Sequence, residues 1–379
     1  MPIHEIHVSD NLFFAAFAMD LMYFIVEEVI GIHSRDVYII YNLVWLFVAL
    51  YLMIKYGIRQ KYLSIIFIFG AIFVLSRMTK LTHDSANSEA DLAILIFLCQ
   101  CLACAILGAF FSDRRPLQVD YARFHIIISL GLIVVLIRKL SLGLFSDGVV
   151  TYQSVSYYSA LMFGIGTYLI KKEKRFRNLA IEVVLTSTNA VICIAFGGRA
   201  AFILLVLYLV IAVLTRPVTK NSGRKFFVSI FVLVLFAYFT SDPSLRGVIK
   251  YGLNRATEYL GGGSGIRWDK TSNRDIIYGA YLNEISAHII LGSGILSDYY
   301  FEGDPHNLFI EVLYEGGLVY LMIWVLILLI CLMNYIKHRS EYDYVMRYII
   351  PAYVIVMSLF SGSYIRNGQF WMLFGYFIL

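Results

Sequence analysis

Long apolar stretches recur along this chain of 379 residues from one end to the other. A helix that crosses a bilayer needs about 20 mostly apolar residues. Runs near this length fall at residues 12–32, 38–56, 62–81, 91–111, 121–140, 154–170, 179–196, 199–215, 225–241, 310–334, 345–361 and 364–379. Charged residues make up 15% of the chain, against about 25% in soluble domains. The pattern predicts an all-α polytopic membrane protein, with about twelve transmembrane helices in one integral membrane domain over residues 1–379.

Positive charges between the apolar runs predict an orientation. With the N-terminus in the cytoplasm, the inner connections hold eighteen Lys and Arg residues and the short outer connections hold seven. This distribution obeys the positive-inside rule, and "KKEKRFR" at 171–177 is its strongest inner anchor. Both termini are therefore predicted to be cytoplasmic. The first basic residue is Arg35, so we expect the first apolar run to be retained rather than cleaved as a signal peptide.

This orientation places one long connection, residues 242–305, on the outer face. Long loops often carry function. Cations are concentrated in its first half, at Arg246, Lys250, Arg255, Arg267, Lys270 and Arg274. Ser272 and Asp275 resemble a capping box, which predicts a short helix over about 273–290.

Several chemistries are excluded by their missing motifs. The sequence has no P-loop and no HExxH, and its net charge of +5 does not indicate nucleic-acid binding. All five cysteines lie in apolar runs, so we expect buried small side chains rather than disulfides or metal ligands. We therefore expect neither a metal nor another cofactor.

The stretch "DPHN" at 304–307 stands at the start of an apolar run. Asp304 is a suitable N-cap and Pro305 suits the first helical position, which places His306 and Asn307 in the first turn. The helix dipole there favours a neutral imidazole, as a general base requires. The glycine pair at 316–317 either lets another helix or a lipid chain approach closely or breaks the helix where it enters the bilayer. The competing interpretation is an interfacial histidine above a helix contact.

Arginines at the outer ends of apolar runs are candidates for anion binding. Arg199 in "IAFGGRAAFILL" (194–205) lies between two runs with almost no loop, among glycines and alanines that leave room for a large ligand. Arg366 in "GSYIRNGQFW" (362–371) repeats this arrangement on the same side. Arg274 lies in the first turn of the predicted outer helix, where it opposes the dipole. Snorkelling or simple solvation is the alternative for each.

Carboxylates inside apolar runs are the remaining candidates. Asp20, Glu27 and Glu28 fall on similar faces of the first run and suit either a proton or ion relay or a partly interfacial helix. Glu315 follows His306 along its helix and either orients a sugar or meets water.

Three of these motifs together resemble those of the O-antigen ligase and polymerase superfamily. His306-Asn307, nine residues, Gly317, two residues and Tyr320 is similar to that family's H-[NSQ]-x9-G-x-x-[GTY] pattern. "SNRD…SAHIILGSG" resembles its Arg-containing periplasmic helix and the string that follows it, with Ile289 in place of a proline. "FGGRAA" is similar to its "GSRG"-type motif. The resemblance covers about the last 190 residues.

The resemblance implies a metal-independent glycosyltransferase of the GT-C type in the bacterial inner membrane, with its active site and the 242–305 loop periplasmic. Its substrate would be an undecaprenyl-diphosphate-linked oligosaccharide. His306 would be the catalytic base. Arg199, Arg274 and Arg366, with Arg267, Asn307 and Glu315, would bind the diphosphate and the glycan.

The expected function is a polysaccharide polymerase of the Wzy type, for O-antigen, capsule or a similar product. It would move a growing glycan onto a lipid-linked repeat unit. An O-antigen ligase, which transfers the glycan to lipid A core, is the runner-up. A transporter of lipid-linked glycans is the alternative of another class, with Asp20, Glu27 and Glu28 as coupling residues. Membrane lipids, and a chain-length regulator protein as a further candidate, complete the expected partners.

Overall fold

We describe the fold from a computed structural model. The description covers residues 9–31, 34–83, 88–114, 117–141, 152–172, 175–215, 250, 274–301 and 305–378. Within these ranges the regular structure is helical throughout, so the all-α prediction is confirmed there. The apolar run at 225–241, Arg267 and most of the first half of the 242–305 connection lie outside the described residues.

The α-helices of the described ranges are numbered here in chain order. They are α1 (Asn11–Phe17), α2 (Met19–Ile30), α3 (Arg35–Lys55), α4 (Gln60–His83), α5 (Ser88–Ile96), α6 (Leu102–Phe111), α7 (Tyr121–Ser141), α8 (Tyr152–Lys172), α9 (Phe176–Phe196), α10 (Arg199–Leu214), α11 (Arg274–Ala287), α12 (Leu308–Lys337), α13 (Ile350–Phe360) and α14 (Gly368–Phe377). π-Helical turns at Phe97–Cys101 and Val345–Ile349 lead into α6 and α13.

Six helical stretches of the described ranges are long and apolar enough to cross a membrane. They are Arg35–Lys55, Gln60–Thr79, Glu89–Phe111, Tyr121–Lys139, Arg177–Phe196 and Leu308–Lys337. Two shorter apolar helices, Arg199–Leu214 and Val345–Phe360, accompany them. The first apolar run is divided into α1 and α2 at Ala18. The chain is thus a helical membrane protein, and twelve spans remain a prediction.

Small residues let α6 and α14 cross closely at the centre of the bundle. A Cβ atom on Gly108 would collide with the backbone of Met372, and one on Gly375 would collide with the backbone of Ala105. Close backbone approach at glycine and alanine is typical of membrane helix pairs. Trp371 is fully buried beside this crossing.

Polar contacts join the predicted cytoplasmic connections to one another at one end of the bundle, which we call the inner end. Lys61 Nζ lies 2.6 Å from Asp113 Oδ2, after α6. Lys171 Nζ donates to Thr215 Oγ1 at 3.0 Å, and Thr215 in turn contacts Tyr344. The opposite, outer end holds the turns before α10, α12 and α14. That the inner end faces the cytoplasm remains a prediction.

Four of the five cysteines are buried and Cys331 is half-buried, as side chains in apolar helices. All five are free thiols. The prediction of buried, unlinked cysteines therefore holds for four of them, while Cys331 is partly exposed on α12.

Candidate active site

Helix α12 is broken at Gly317, whose φ of 61° and ψ of −162° lie outside the helical region. The break separates a short outer half, residues 308–316, from a longer half, residues 318–337. At about 1.5 Å per residue the longer half measures about 30 Å, which matches the hydrocarbon core of a bilayer. Of the two interpretations that the sequence left open for the glycine pair, the helix break is therefore correct.

Residues 289–294, which we call the plug, pack against this break. The amide of Leu318 donates to the carbonyl of Ile289 at 2.8 Å. The amide of Val319 donates to the carbonyl of Ile290 at 3.3 Å. A broken helix leaves such amides without intrahelical partners, and lipid cannot supply any. The plug therefore makes the break tolerable at the edge of a membrane.

The outer half of α12 is bound by the plug in the same way. The amide of Ser293 donates to the carbonyl of Tyr314 at 2.8 Å, and that of Gly294 donates to Glu315 at 2.7 Å. A Cβ atom on Gly292 would lie 2.5 Å from the carbonyl carbon of Glu315. Gly292 of "LGSG" thus serves a close backbone approach, whereas a Cβ atom on Gly294 would collide with the side chain of Thr79.

Asn307, not Asp304, caps α12. Its Oδ1 accepts from the amides of Phe309 and Ile310 at 3.0 and 3.2 Å, so the helix begins at Leu308. The predicted start three residues earlier, at Pro305, is wrong, because the asparagine carboxamide satisfies the first free amides itself. Asp304 lies outside the described residues.

His306 therefore stands just before the helix rather than in its first turn. Its φ of 49° is positive, which is uncommon for a residue with a side chain. Such strained residues concentrate at functional sites, where the surrounding structure imposes them. The half-buried imidazole is aimed at the turn between α13 and α14.

One ring nitrogen of His306 has a protein contact that bears on its chemistry. The amide of Gly362 donates to Nδ1 at 3.4 Å, near the long limit of a hydrogen bond. In this arrangement a neutral ring carries its proton on Nε2. Proton uptake at Nε2 requires the other tautomer, with the ring proton on Nδ1. That tautomer gives up the hydrogen bond from the Gly362 amide, which is long and therefore weak.

Two buried carboxylates lie one turn apart on the outer half of α12. Glu311 is fully buried and accepts from the hydroxyl of Ser363 and from the amide of Tyr364. Glu315, 1% exposed, accepts from the amide of Leu296 at 2.6 Å and from the hydroxyl of Tyr364 at 2.6 Å. These contacts join three segments: the outer half of α12, the residues just after the plug and the turn before α14.

Glu315 is thus engaged by protein groups at the position where the sequence suggested a sugar contact. Burial, followed by the neighbouring Glu315, raises the pKa of Tyr364 well above its ordinary value. The phenol therefore stays protonated and donates to the carboxylate. We assign Glu315 a positioning role in place of the predicted sugar contact.

Arg366 lies at the exposed end of the turn that these carboxylates hold. It ends the short 3₁₀ helix Tyr364–Arg366, and its guanidinium lies 4.8 Å from the ring centroid of Tyr299. Tyr299 follows the plug in another 3₁₀ turn, Ser297–Tyr300. This cation–π contact joins Arg366 to the outer segment and leaves the cation at the surface of the outer end.

Arg199 is the first residue of α10 and follows a tight glycine turn, as the sequence predicted. Gly197 has a φ of 64°, and the Gly198 amide donates to Ser156 Oγ at 3.2 Å. A Cβ atom on Gly198 would lie 2.7 Å from that hydroxyl. The half-buried Arg199 opposes the dipole of its own helix, which a merely solvated arginine has no reason to do.

The approximate height of Arg199 relative to the histidine site follows from the lengths of α10 and α13. Tyr208 Oη of α10 donates at 3.1 Å to the carbonyl of Ile349, the last residue of the π-helical turn before α13. From this contact Arg199 lies about 13 Å outward along α10, and Phe360 lies about 16 Å outward along α13. Gly362, the partner of His306, follows directly.

The other predicted site residues are only partly described. Arg274 begins α11, but its side chain lies outside the described residues, as does Arg267. Helix α11 docks on the outer half of α12 through Tyr281, whose ring centroid lies 4.7 Å from that of Tyr314. Arg274 therefore belongs to an element that packs on the site. His288, just after the end of α11, is exposed.

An apolar groove of about 390 Å³ descends from the site between α12, α13 and α14. Leu308 and Leu359 line its outer end, and Tyr335 and Pro351 line its inner end. Asn307 Nδ2 donates to the carbonyl of Leu359 at 3.3 Å, so the groove opens beside the histidine. Its size falls within the usual range for ligand pockets.

The three acidic residues of the first run do not act as one group. Asp20 Oδ1 accepts from Gln100 Nε2 at 2.5 Å and lies 3.1 Å from the hydroxyl of Tyr38. Glu28 Oε2 lies 3.3 Å from Lys139 Nζ, at the outer end. Asp20 is thus a half-buried connection between α2, α3 and the π-helical turn before α6.

Sequence reasoning missed the residues that hold the site together. Ser363 and Tyr364 lie in the quoted stretch 362–371 but were given no role there, and Tyr299 lies in none of the quoted stretches. The available signal was the pair Glu311 and Glu315, two carboxylates one turn apart in an apolar helix, since such groups require nearby donors. The donors on Ser363 and Tyr364 are about fifty residues away along the chain, and local pattern does not specify them.

Comparison with known proteins adds no relative to this description. No protein-family model matches the chain, and no curated protein matches it significantly. The function is therefore argued from the residues of the site.

Proposed function

We propose that the protein is a polysaccharide polymerase that transfers a growing glycan from undecaprenyl diphosphate onto a lipid-linked repeat unit. The observation that carries the proposal is the placement of His306. It precedes the capped outer half of a broken membrane helix, has a positive φ, and contacts the turn that leads to the exposed Arg366.

The reaction requires two functions that these residues supply. A hydroxyl of the acceptor sugar attacks the anomeric carbon of the donor, and the bond from that carbon to the diphosphate oxygen breaks. His306 takes the hydroxyl proton as general base. Arg199 and Arg366, with Arg274 on the docked helix α11, neutralise the charge that develops on the diphosphate leaving group.

The tautomer of His306 gives the proposal a specific requirement. Uptake of the acceptor proton at Nε2 needs the ring proton on Nδ1, and the amide of Gly362 must then give up its 3.4 Å contact. Binding of the acceptor sugar would select this tautomer.

The membrane location explains why the base stands at the mouth of a helix. Both substrates of a polymerase are lipid-linked, so their reacting sugars meet just outside the hydrocarbon core. The groove between α12 and α13 would accept the isoprenoid tail of one of them, because its lining is almost entirely apolar. The buried Glu311 and Glu315 hold the surrounding segments together at this boundary.

Two alternatives remain in view. An O-antigen ligase would use the same base and arginines with lipid A core as acceptor. A transporter is favoured by one observation, the half-buried carboxylate of Asp20 among membrane helices. Its hydrogen bonds to Gln100 and Tyr38 equally suit a connection between helices, which we prefer.

The test is a reconstituted reaction without metal. Purified protein receives one synthetic lipid-diphosphate-linked repeat unit, and products are separated by chain length. The polymerase predicts a ladder from this single substrate. Products that appear only when lipid A core is added would establish the ligase. Uptake of the lipid-linked glycan into proteoliposomes without any new glycosidic bond would establish the transporter.

A further inference from the structure

One face of α9 carries a row of polar residues through an otherwise apolar helix. Glu182, Thr186 and Asn189 are spaced by four and three residues, so they share this face. They are 5%, 3% and 1% exposed. The row faces α7, where His125 and Ser129, one turn apart, are fully buried. Ionisable residues inside membrane bundles are rare and usually functional.

Two direct contacts join the two helices. His125 Nδ1 lies 2.5 Å from Glu182 Oε2, and Asn189 Nδ2 donates to Ser129 Oγ at 2.7 Å. On α9, the first contact uses Oε2 of Glu182 and the second uses Nδ2 of Asn189. Within the described ranges, His125 Nε2, Thr186 Oγ1 and Asn189 Oδ1 are buried with no hydrogen-bond partner.

Two of these three atoms converge on one point of α8. A Cβ atom on Gly166 would lie 2.9 Å from His125 Nε2 and closer still to Thr186 Oγ1. The two atoms are therefore within about 5 Å of each other, a separation that one bridging water spans. A ring nitrogen and a hydroxyl give such a water the two polar partners it needs. Buried polar atoms without partners are rare in folded proteins, which favours this arrangement.

A polar pocket reaches this pair from the inner end. It has a volume of about 360 Å³, and Glu182 forms part of its wall. Glu182 therefore contacts the pocket on one side and His125 on the other. The titratable and charged groups around the pocket are Asp120 and Tyr121 at the start of α7, Tyr168 and Lys172 from α8, and Arg175 before α9, with Asp343 acting on Tyr121.

We propose that His125, Glu182 and Thr186 form a buried proton-binding site that holds a water between His125 and Thr186 and exchanges protons with the inner pocket. When the pair holds one proton, His125 Nδ1–H donates to the Glu182 carboxylate across the 2.5 Å contact, and the bare Nε2 accepts from the water. Uptake of a further proton gives an imidazolium whose Nε2–H donates to the water and whose charge the Glu182 carboxylate balances. This site is independent of the outer histidine site and of the proposed transferase reaction.

The water is tested by Thr186→Val, which removes the hydroxyl at nearly constant volume. If water bridges the two side chains, the variant removes the Thr186 hydroxyl as a hydrogen-bond partner of that water and weakens the bridge to His125. The apparent unfolding temperature of the full-length protein in detergent then falls. If the site is dry, the variant removes an unsatisfied hydroxyl and the unfolding temperature rises, which would overturn the proposal. Thr167→Val is the control, since Thr167 is equally buried but bonds its own helix at 2.7 Å.

Proton exchange is tested on the same protein by NMR of ¹³C-labelled histidine rings, with the His125 signal assigned from its loss in His125→Gln. The proposal predicts that this signal moves with pH and that Glu182→Gln abolishes or strongly shifts the movement. A signal that stays constant across the range in which the protein is folded would refute exchange with the pocket. Hydroxyl-radical labelling of His125 in the intact protein, despite its burial, is a third expected result, and its failure would count against bound water.

Discussion

Replacing Gly317 by alanine tests whether the helix break is built into the sequence. The residue has a φ of 61° with a ψ of −162°, a region that residues with a side chain essentially avoid. Holding alanine there costs about 1–3 kcal/mol. The added Cβ would also lie 2.6 Å from the amide nitrogen of Leu291 and closer to the carbonyl of Ile290.

Those neighbours are backbone atoms of the plug, so no flexible side chain can move aside. Forcing the plug outward resembles overpacking of a core, at about 1–3 kcal/mol. It also weakens the bonds from Leu318 and Val319 to the plug, each contributing about 0.5–1.5 kcal/mol. The expected total loss is roughly 3–6 kcal/mol, a large part of an ordinary protein's stability.

Two other glycines serve as controls that separate the backbone contribution from the packing contribution. Gly57 has a φ of 94° but open space around it. Gly57→Ala should therefore lower the free energy of unfolding only by the cost of holding alanine at positive φ, about 1 kcal/mol. Gly70 lies inside α4, without positive φ and with nothing near its Cβ position, so Gly70→Ala should be neutral or stabilise by up to about 1 kcal/mol.

The assay is reversible unfolding in mixed micelles, followed by circular dichroism, together with limited proteolysis of the plug. Gly317→Ala should be the least stable of the three variants and the most rapidly cleaved near residues 289–294. If it were no less stable than Gly57→Ala, the plug would not be packed against the break and our account of this region would fail.

Three further predictions concern function in the reconstituted reaction. Arg366→Ala and Arg199→Ala should each lower kcat/KM by roughly 10- to 150-fold, because each removes a charge-assisted contact worth about 1.5–3 kcal/mol to the leaving group. Asp20→Asn should keep most of the activity, because an amide can still bond its neighbours. Leu332→Trp should raise KM for a long-tailed substrate, because Leu332 lines the groove, whereas Met333→Trp, on the adjacent lipid-facing surface, should not.

Each has a result that would count against it. Full activity of both arginine variants would remove the diphosphate-binding model. Loss of activity in Asp20→Asn, with unchanged unfolding temperature, would show that Asp20 does more in the reaction than connect helices. Equal KM values for the two tryptophan variants would show that the groove does not hold the tail.

The periodicity and composition of the sequence predict much of the fold, because apolar length alone decides which segments can cross a bilayer. The tight turn before Arg199 and the polar start of α12 also follow from local pattern. Where local signals compete, prediction fails: Asp304 and Pro305 suggested an earlier helix start, but the Asn307 side chain provides the cap. The contacts of Glu315 with Leu296 and Tyr364, and of Asp20 with Gln100, join distant parts of the chain. Their geometry depends on tertiary packing, which residue spacing does not encode.

The most direct test of the central proposal compares three proteins in the metal-free reaction: wild type, His306→Gln and His338→Ala. Glutamine keeps an N–H donor at the site but cannot take a proton, and His338 is a histidine of the inner end, beyond α12. If His306 is the base, wild type and His338→Ala form a glycan ladder from the single lipid-linked repeat, and His306→Gln forms none while remaining folded. A full ladder from His306→Gln would contradict the account, because the reaction would then need at most a hydrogen-bond donor at this position.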